Sequence, residues 1–92
     1  MNPGSDDPRV RKKELGFTVL EILDRFGNIS GKQLYGYLEQ EVTDLRPEEF
    51  ANTLHRLERL ELVEDIDAGY AFIYAVTNQG IVALESHRSN ST

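Results

Sequence analysis

Few residues in this chain could make or break covalent bonds. His55 and His87 are its two imidazoles, and cysteine is absent, which excludes thiol nucleophiles, thiolate zinc sites and disulfides. The sixteen carboxylates show no pairing that supports general acid–base work better than ordinary solvation does. His55 reads as a surface residue of a helix, because no Cys, His or carboxylate cluster flanks it at metal-ligand spacing. The run Gly27-Asn28-Ile29-Ser30-Gly31-Lys32-Gln33 resembles a phosphate loop only faintly. Its spacing is wrong by one residue, Gln33 replaces the hydroxyl that would hold magnesium, and a helix precedes it where a strand is needed. The expectation is no enzyme, no metal and no cofactor.

Hydrogen-bonded recognition has better candidates. A helix opening at Pro47 turns Glu48, Glu49, Asn52, Thr53, Arg56 and Arg59 outward. Asn52 and Arg56 stand four apart, on one face, and their side chains suit adenine and guanine edges respectively. Lys32 and Arg46 are placed to reach phosphates, as is the helix start around Ser30 and Gly31. Arg9, Arg11, Lys12 and Lys13 form a basic block that reads either as an arm for a nucleic-acid groove or as a solvated helix entry. Charge argues the other way. Ten Lys+Arg against sixteen Asp+Glu give a net charge of −6 and a pI near 4.8, which disfavours generic attraction to phosphate. The polar face of this helix is therefore either a reading head or a solvated surface. The aromatics Tyr35, Tyr37, Tyr70, Phe72 and Tyr74 divide similarly between core packing and a protein-binding patch; Tyr70, Phe72 and Tyr74 are the partner candidates.

These residues need a scaffold, and the pattern supplies one. Leu15, Val19, Ile22, Leu23 and Phe26 form one apolar stripe of a helix from Lys13 to Phe26. Phe17 and Leu20 widen that stripe beyond what one domain needs, and Gly27-Asn28 ends it. Ser30 and Gln33 make a capping box for a second helix to about Gln40, with Ile29 and Leu34 as the hydrophobic staple. Gly36 inside this helix points to a close approach by another element. Pro47 opens the third helix, with Phe50, Ala51, Leu54 and Leu57 inward. The period then changes to two. Leu62–Ile66 and Tyr70–Val76 read as a hairpin turning at Asp67-Ala68-Gly69, with Ile66 and Tyr70 flanking the turn. Thr77 caps a short last helix carrying Ile81 and Leu84. No run approaches the ~20 apolar residues of a membrane span.

Helix, helix, helix, hairpin, helix is the layout of a winged helix-turn-helix, an α+β fold that is mostly helical. Leu54 to Glu64, L-H-R-L-E-R-L-E-L-V-E, resembles the "L-R-R-L-E-x-x-G-L-V-E" stretch of PadR-type regulators, with the MarR type second. Tyr74 to Gly80 followed by Ala83-Leu84-Glu85 is similar to their "Y-x-L-T-x-x-G-x-x-A-L-E" ending. The resemblance spans Leu15 to Glu85. It implies a small DNA-binding transcriptional regulator, cytoplasmic and homodimeric through its first and last helices, with double-stranded DNA as partner. The sequence departs from the pattern in three ways. Arg46 stands where a serine precedes the proline, Glu61 stands where a glycine ends the third helix, and the wing has no Lys or Arg. The additional dimerisation helices of the resembled families also have no counterpart. The alternative is a winged-helix module that binds another protein and no DNA. The expected organisation is one domain over 13–86, with flexible tails over 1–12 and 87–92.

Overall fold

The computed structural model describes residues 8–67 and 72–90. The elements run α1 (Pro8–Phe26), β1 (Ile29–Ser30), α2 (Gly31–Glu41), α3 (Pro47–Arg59), β2 (Val63–Asp67), β3 (Phe72–Val76) and α4 (Asn78–Asn90). This is the expected winged helix-turn-helix, with three additions. Ile29–Ser30 forms a strand that pairs with Ile73 and Tyr74, so the described sheet has three strands in the order β1-β3-β2. Helix α1 begins at Pro8, so 8–12 is helix rather than tail. Helix α4 continues to Asn90 and matches α3 in length, so it is not short and 87–90 is not tail.

The local signals act as their chemistry requires. Ser30 Oγ accepts from the Gln33 N–H, and Gln33 Oε1 accepts from the Ser30 N–H, which completes the capping box. Ile29 and Leu34 are both buried in the core that the staple was expected to seal. Gly27 ends α1 at φ 79°. Thr77 caps α4, its Oγ1 accepting from the Gly80 N–H.

Leu15, Val19, Leu20, Ile22 and Leu23 of α1 are fully buried, together with Leu34 and Leu38 of α2, Leu57 of α3 and Leu84 of α4. Helix α1 is thus the central element, wrapped on several sides. Leu20 was read as surplus apolar surface, but it is 1% exposed within the protomer, and Phe17 is stacked on His87 of α4. Phe26 leaves the stripe: it is 43% exposed and stacks on Tyr37. In α3 the buried arc is Thr53, Leu54 and Leu57. Ala51, expected inward, is exposed, and Thr53, expected outward, is 4% exposed with its hydroxyl donating to the Glu49 carbonyl.

The hairpin forms in a different register from the expected one. Ile66 opposes Ile73, and Asp67 opposes Phe72, so Ile66 is not the partner of Tyr70. The turn residues Ala68 and Gly69, and Tyr70 itself, lie outside the described residues. The close approach expected at Gly36 is absent, since a Cβ there would meet nothing within 4 Å. It occurs at Gly80, where a Cβ would collide with the Leu62 carbonyl oxygen and lie 2.7 Å from Val76 Cγ2. Only a glycine lets the first turn of α4 sit directly on the base of the wing.

Glu61 supplies the helix end that was expected to be missing. It adopts φ 62°, its N–H donates to the Glu58 carbonyl, and the Leu62 N–H donates to the Leu57 carbonyl. These two bonds make a Schellman ending for α3 with glutamate in the left-handed position.

Candidate nucleic-acid interface

Burial of Thr53, Leu54 and Leu57 fixes the opposite face of α3 by its 3.6-residue period. Glu48, Asn52, His55 and Arg59 fall there, and all are exposed. Asn52 and Arg59 are thus where the sequence put them. His55 joins them, although it was read only as a surface residue; counting the period outward from Leu54 and Leu57 would have placed it on this face.

Arg56 lies on the flank of that face, turned toward α1. Its guanidinium donates to the Lys12 carbonyl at 2.7 Å. Gly16 of α1 makes room for it, since a Cβ there would stand 3.1 Å from Arg56 Nη2. Arg11 reaches α3 from the other side of the same gap. It donates through Nε and Nη2 to the two carboxylate oxygens of Glu49, and through Nη2 to the Thr43 carbonyl at 3.0 Å. This two-point bond holds the Glu49 carboxyl below the usual carboxylate range and raises the Arg11 guanidinium further.

The result is a cleft of about 560 Å³ between the first turns of α1 and the outer face of α3, lined in part by Arg11, Lys12, Asn52, His55, Arg56 and Arg59. The carboxylate on its wall, Glu49, is already neutralised by Arg11. The basic block is therefore a helix entry with Arg9, Lys12 and Lys13 exposed. It is a helical turn that stands beside α3 and adds its cations to that helix. Arg9 and Lys13 sit on the same stretch of α1, both exposed. Lys32, in the first turn of α2, and Arg46, at the N-terminus of α3, are also exposed. Arg46 shares a second depression with Glu48 and Asn52.

The wing has the opposite character. Glu64 and Asp65 are exposed on β2, and no cation stands on the described part of either wing strand. Phe72 is 65% exposed. Tyr74 is half-buried, and burial, then Asp65 and Glu58, push its phenol above its ordinary value. Tyr35 is used internally, edge-on to Phe50. Among the described residues, cations gather where α1 meets α3, and the charged side chains of the wing strands are all carboxylates. Among the described residues there is no cluster able to hold a metal ion, and no helix long and apolar enough to cross a membrane.

No protein-family model and no curated protein matches the chain. Solved structures do match. A PadR-like transcriptional regulator from Bacillus cereus superposes with a TM-score of 0.76 at 20% identity, over 89% of this chain and 84% of that one. RosR of H. salinarum gives 0.74 at 21% identity, over 82% and 69%. A PadR family transcription regulator from Clostridium difficile gives 0.73 at 18% identity, over 83% and 84%. At such identities the shared property is the fold, a winged helix.

Proposed function

We propose that this chain is a DNA-binding transcriptional regulator that docks duplex DNA on the α1–α3 side of its reading helix, with the wing held away. The observation that carries this reading is the cationic cleft in which Arg11, Lys12, Arg56 and Arg59 surround Asn52 and His55. In this reading α3 enters the major groove. Asn52 meets adenine and Arg59 or Arg56 meets guanine, each good two-point contact worth about 1–3 kcal/mol of discrimination. Arg9, Lys12, Lys13, Lys32 and Arg46 take phosphates, Arg11 holds the Glu49 carboxylate away from them, and Thr53 supports α3 from within. The acidic wing repels the backbone, so the binding footprint is narrower than a wing-assisted one. A homodimer joined through α1 and α4 reads two half-sites. Val82 of α4, 63% exposed, offers apolar surface for it, whereas Leu20 is buried.

The test is binding to pooled random duplex DNA at low and moderate salt, followed by selection of a preferred site. Few cations imply a shallow salt dependence, corresponding to about 3–5 phosphates per subunit at roughly 0.9 each. Lys12→Ala and Lys32→Ala should weaken all sequences about equally, whereas Asn52→Ala and Arg59→Ala should relax sequence preference. Glu48→Gln should strengthen binding. If no duplex binds at low salt and Glu48→Gln changes nothing, α3 is not a reading head.

A further inference from the structure

Across α3 from the cationic cleft lies a groove of quite different chemistry. About 400 Å³ in volume, it runs between α3 and the wing, with Phe50 and Ala51 on the helix side, Phe72 and Tyr74 on the sheet side, and Glu58 and Asp65 at its margins. The strand register sets this combination. Asp65 opposes Tyr74, so the two-residue period puts Asp65 on the same sheet face as Val63, which is buried in the core. A carboxylate therefore continues an apolar face just beyond the point where the core ends. Among the described residues neither Glu58 nor Asp65 is in an ion pair. Both are felt at the Tyr74 hydroxyl, whose ionisation they oppose after burial does.

We propose that this groove binds an extended, arginine-bearing segment of a partner protein, with the arginine stem laid on Phe72 and Tyr74 and its guanidinium held by Asp65 and Glu58. Arginine fits better than lysine because its planar, weakly hydrated head stacks on aromatic rings while its fork meets carboxylates. Nucleic acid is disfavoured here, since Asp65 and Glu58 would face phosphate. A small molecule is disfavoured by openness: ligand pockets cover about 70–90% of their occupant, whereas Phe72 is 65% exposed. The chain's own basic block is no candidate within one protomer, because Arg11 and Lys12 are helical and line the cleft between α1 and α3. The net charge of −6 favours a cationic partner, and Asp65 with Glu58 directs it to this groove.

The experiment uses the full chain and fluorescein-labelled peptides of repeating Gly-Arg, Gly-Lys and Gly-Glu, read by fluorescence anisotropy at moderate salt. The expected order is Gly-Arg tighter than Gly-Lys, with Gly-Glu unbound. Asp65→Asn and Phe72→Ala should each weaken Gly-Arg binding about fivefold or more, while circular dichroism melts stay unchanged and duplex-DNA binding does not weaken. Phe72→Leu, which keeps an apolar side chain and removes the ring, should weaken it similarly and covers the case in which Phe72→Ala fails to fold. Glu41→Gln removes the same charge from the end of α2 and should have little effect. Equal weakening by Glu41→Gln and Asp65→Asn would mean attraction to overall acidity and would overturn the assignment, as would absence of peptide binding. Salt-sensitive self-association lost in Asp65→Asn, with no peptide binding, would give the groove to a second copy of the chain and overturn it too.

Discussion

Glu61 sits one residue beyond the cap of α3 at φ 62°, and exchanging it for glycine should raise the stability of the fold. An L-residue in the left-handed region carries strain of roughly 1–2 kcal/mol that glycine escapes. Glycine gives back about 0.4–1 kcal/mol, because its unfolded chain has more freedom to lose. The carboxylate also lies at a helix C-terminus, where backbone carbonyls concentrate negative charge, and removing it adds about 0.3 kcal/mol at this exposed position. The backbone bonds survive the exchange: the residue 61 N–H still donates to the Glu58 carbonyl, and its carbonyl still accepts from Thr77 Oγ1. No cavity opens, since the side chain is exposed. The net effect is a gain of about 1 kcal/mol, or a rise in Tm of about 4–8 °C for a domain of this size. Thermal and urea unfolding followed by far-ultraviolet circular dichroism reads it. Glu61→Gln isolates the charge and should gain only a few tenths of a kcal/mol. Glu61→Asn, which tolerates the left-handed region, should fall between the two. If Glu61→Gly lowers Tm, or matches Glu61→Gln, strain at this ending is not what limits α3.

Three further outcomes are expected. Gly80→Ala should cost about 3 kcal/mol in urea unfolding, because its methyl meets the Leu62 carbonyl and neither backbone can yield; a change below about 0.5 kcal/mol would show that α4 does not seat on the wing base as described. Ser30→Ala should lower stability by about 1 kcal/mol through loss of the capping box, and an unchanged midpoint would mean the box does not hold in solution. The Arg11–Glu49 bond lowers the Glu49 carboxyl in the folded state, so its contribution is fully present above the unfolded carboxylate range, about pH 4.3, and is lost as pH falls through the lower folded value. Urea unfolding across that window should show Glu49→Gln less stable than the parent near neutrality and less sensitive to acid; parallel acid limbs would remove the linkage.

Charge segregation changes how the acidic composition bears on DNA binding. Net charge is a property of the whole surface, whereas phosphate meets only the face that docks. Arg11, Lys12, Arg56 and Arg59 converge on one cleft, and Glu64 and Asp65 lie on the wing. Repulsion from the wing and attraction at the cleft are therefore separable by mutation, which makes Glu48→Gln and Asp65→Asn informative as a pair. The first should strengthen duplex binding, and the second should weaken peptide binding without weakening duplex binding.

Local chemistry was legible in the sequence wherever it is completed within a few residues. Ser30 and Gln33 satisfy each other three apart, Pro47 needs only the missing N–H of a first turn, and Thr77 reaches only to Gly80. The change from a helical period to a period of two marked the wing for the same reason. What the sequence could not show depends on partners far along the chain. Ile29–Ser30 is a strand only because β3 returns to it, and two residues carry no pattern of their own. The register of Ile66 against Ile73 is a relation between two strands, which the alternation within each one leaves open. Thr53 is buried and Arg56 turns aside because α1 begins at Pro8 and lies against that flank of α3. The periodicity of α3 defines an apolar arc but not its width, which is decided by the helix that packs beside it. The same packing joins Arg11 to Glu49 across thirty-eight positions and brings the cations into one cleft. The sequence determined which polar and cationic residues α1 and α3 carry, and tertiary contact decided which of them face outward.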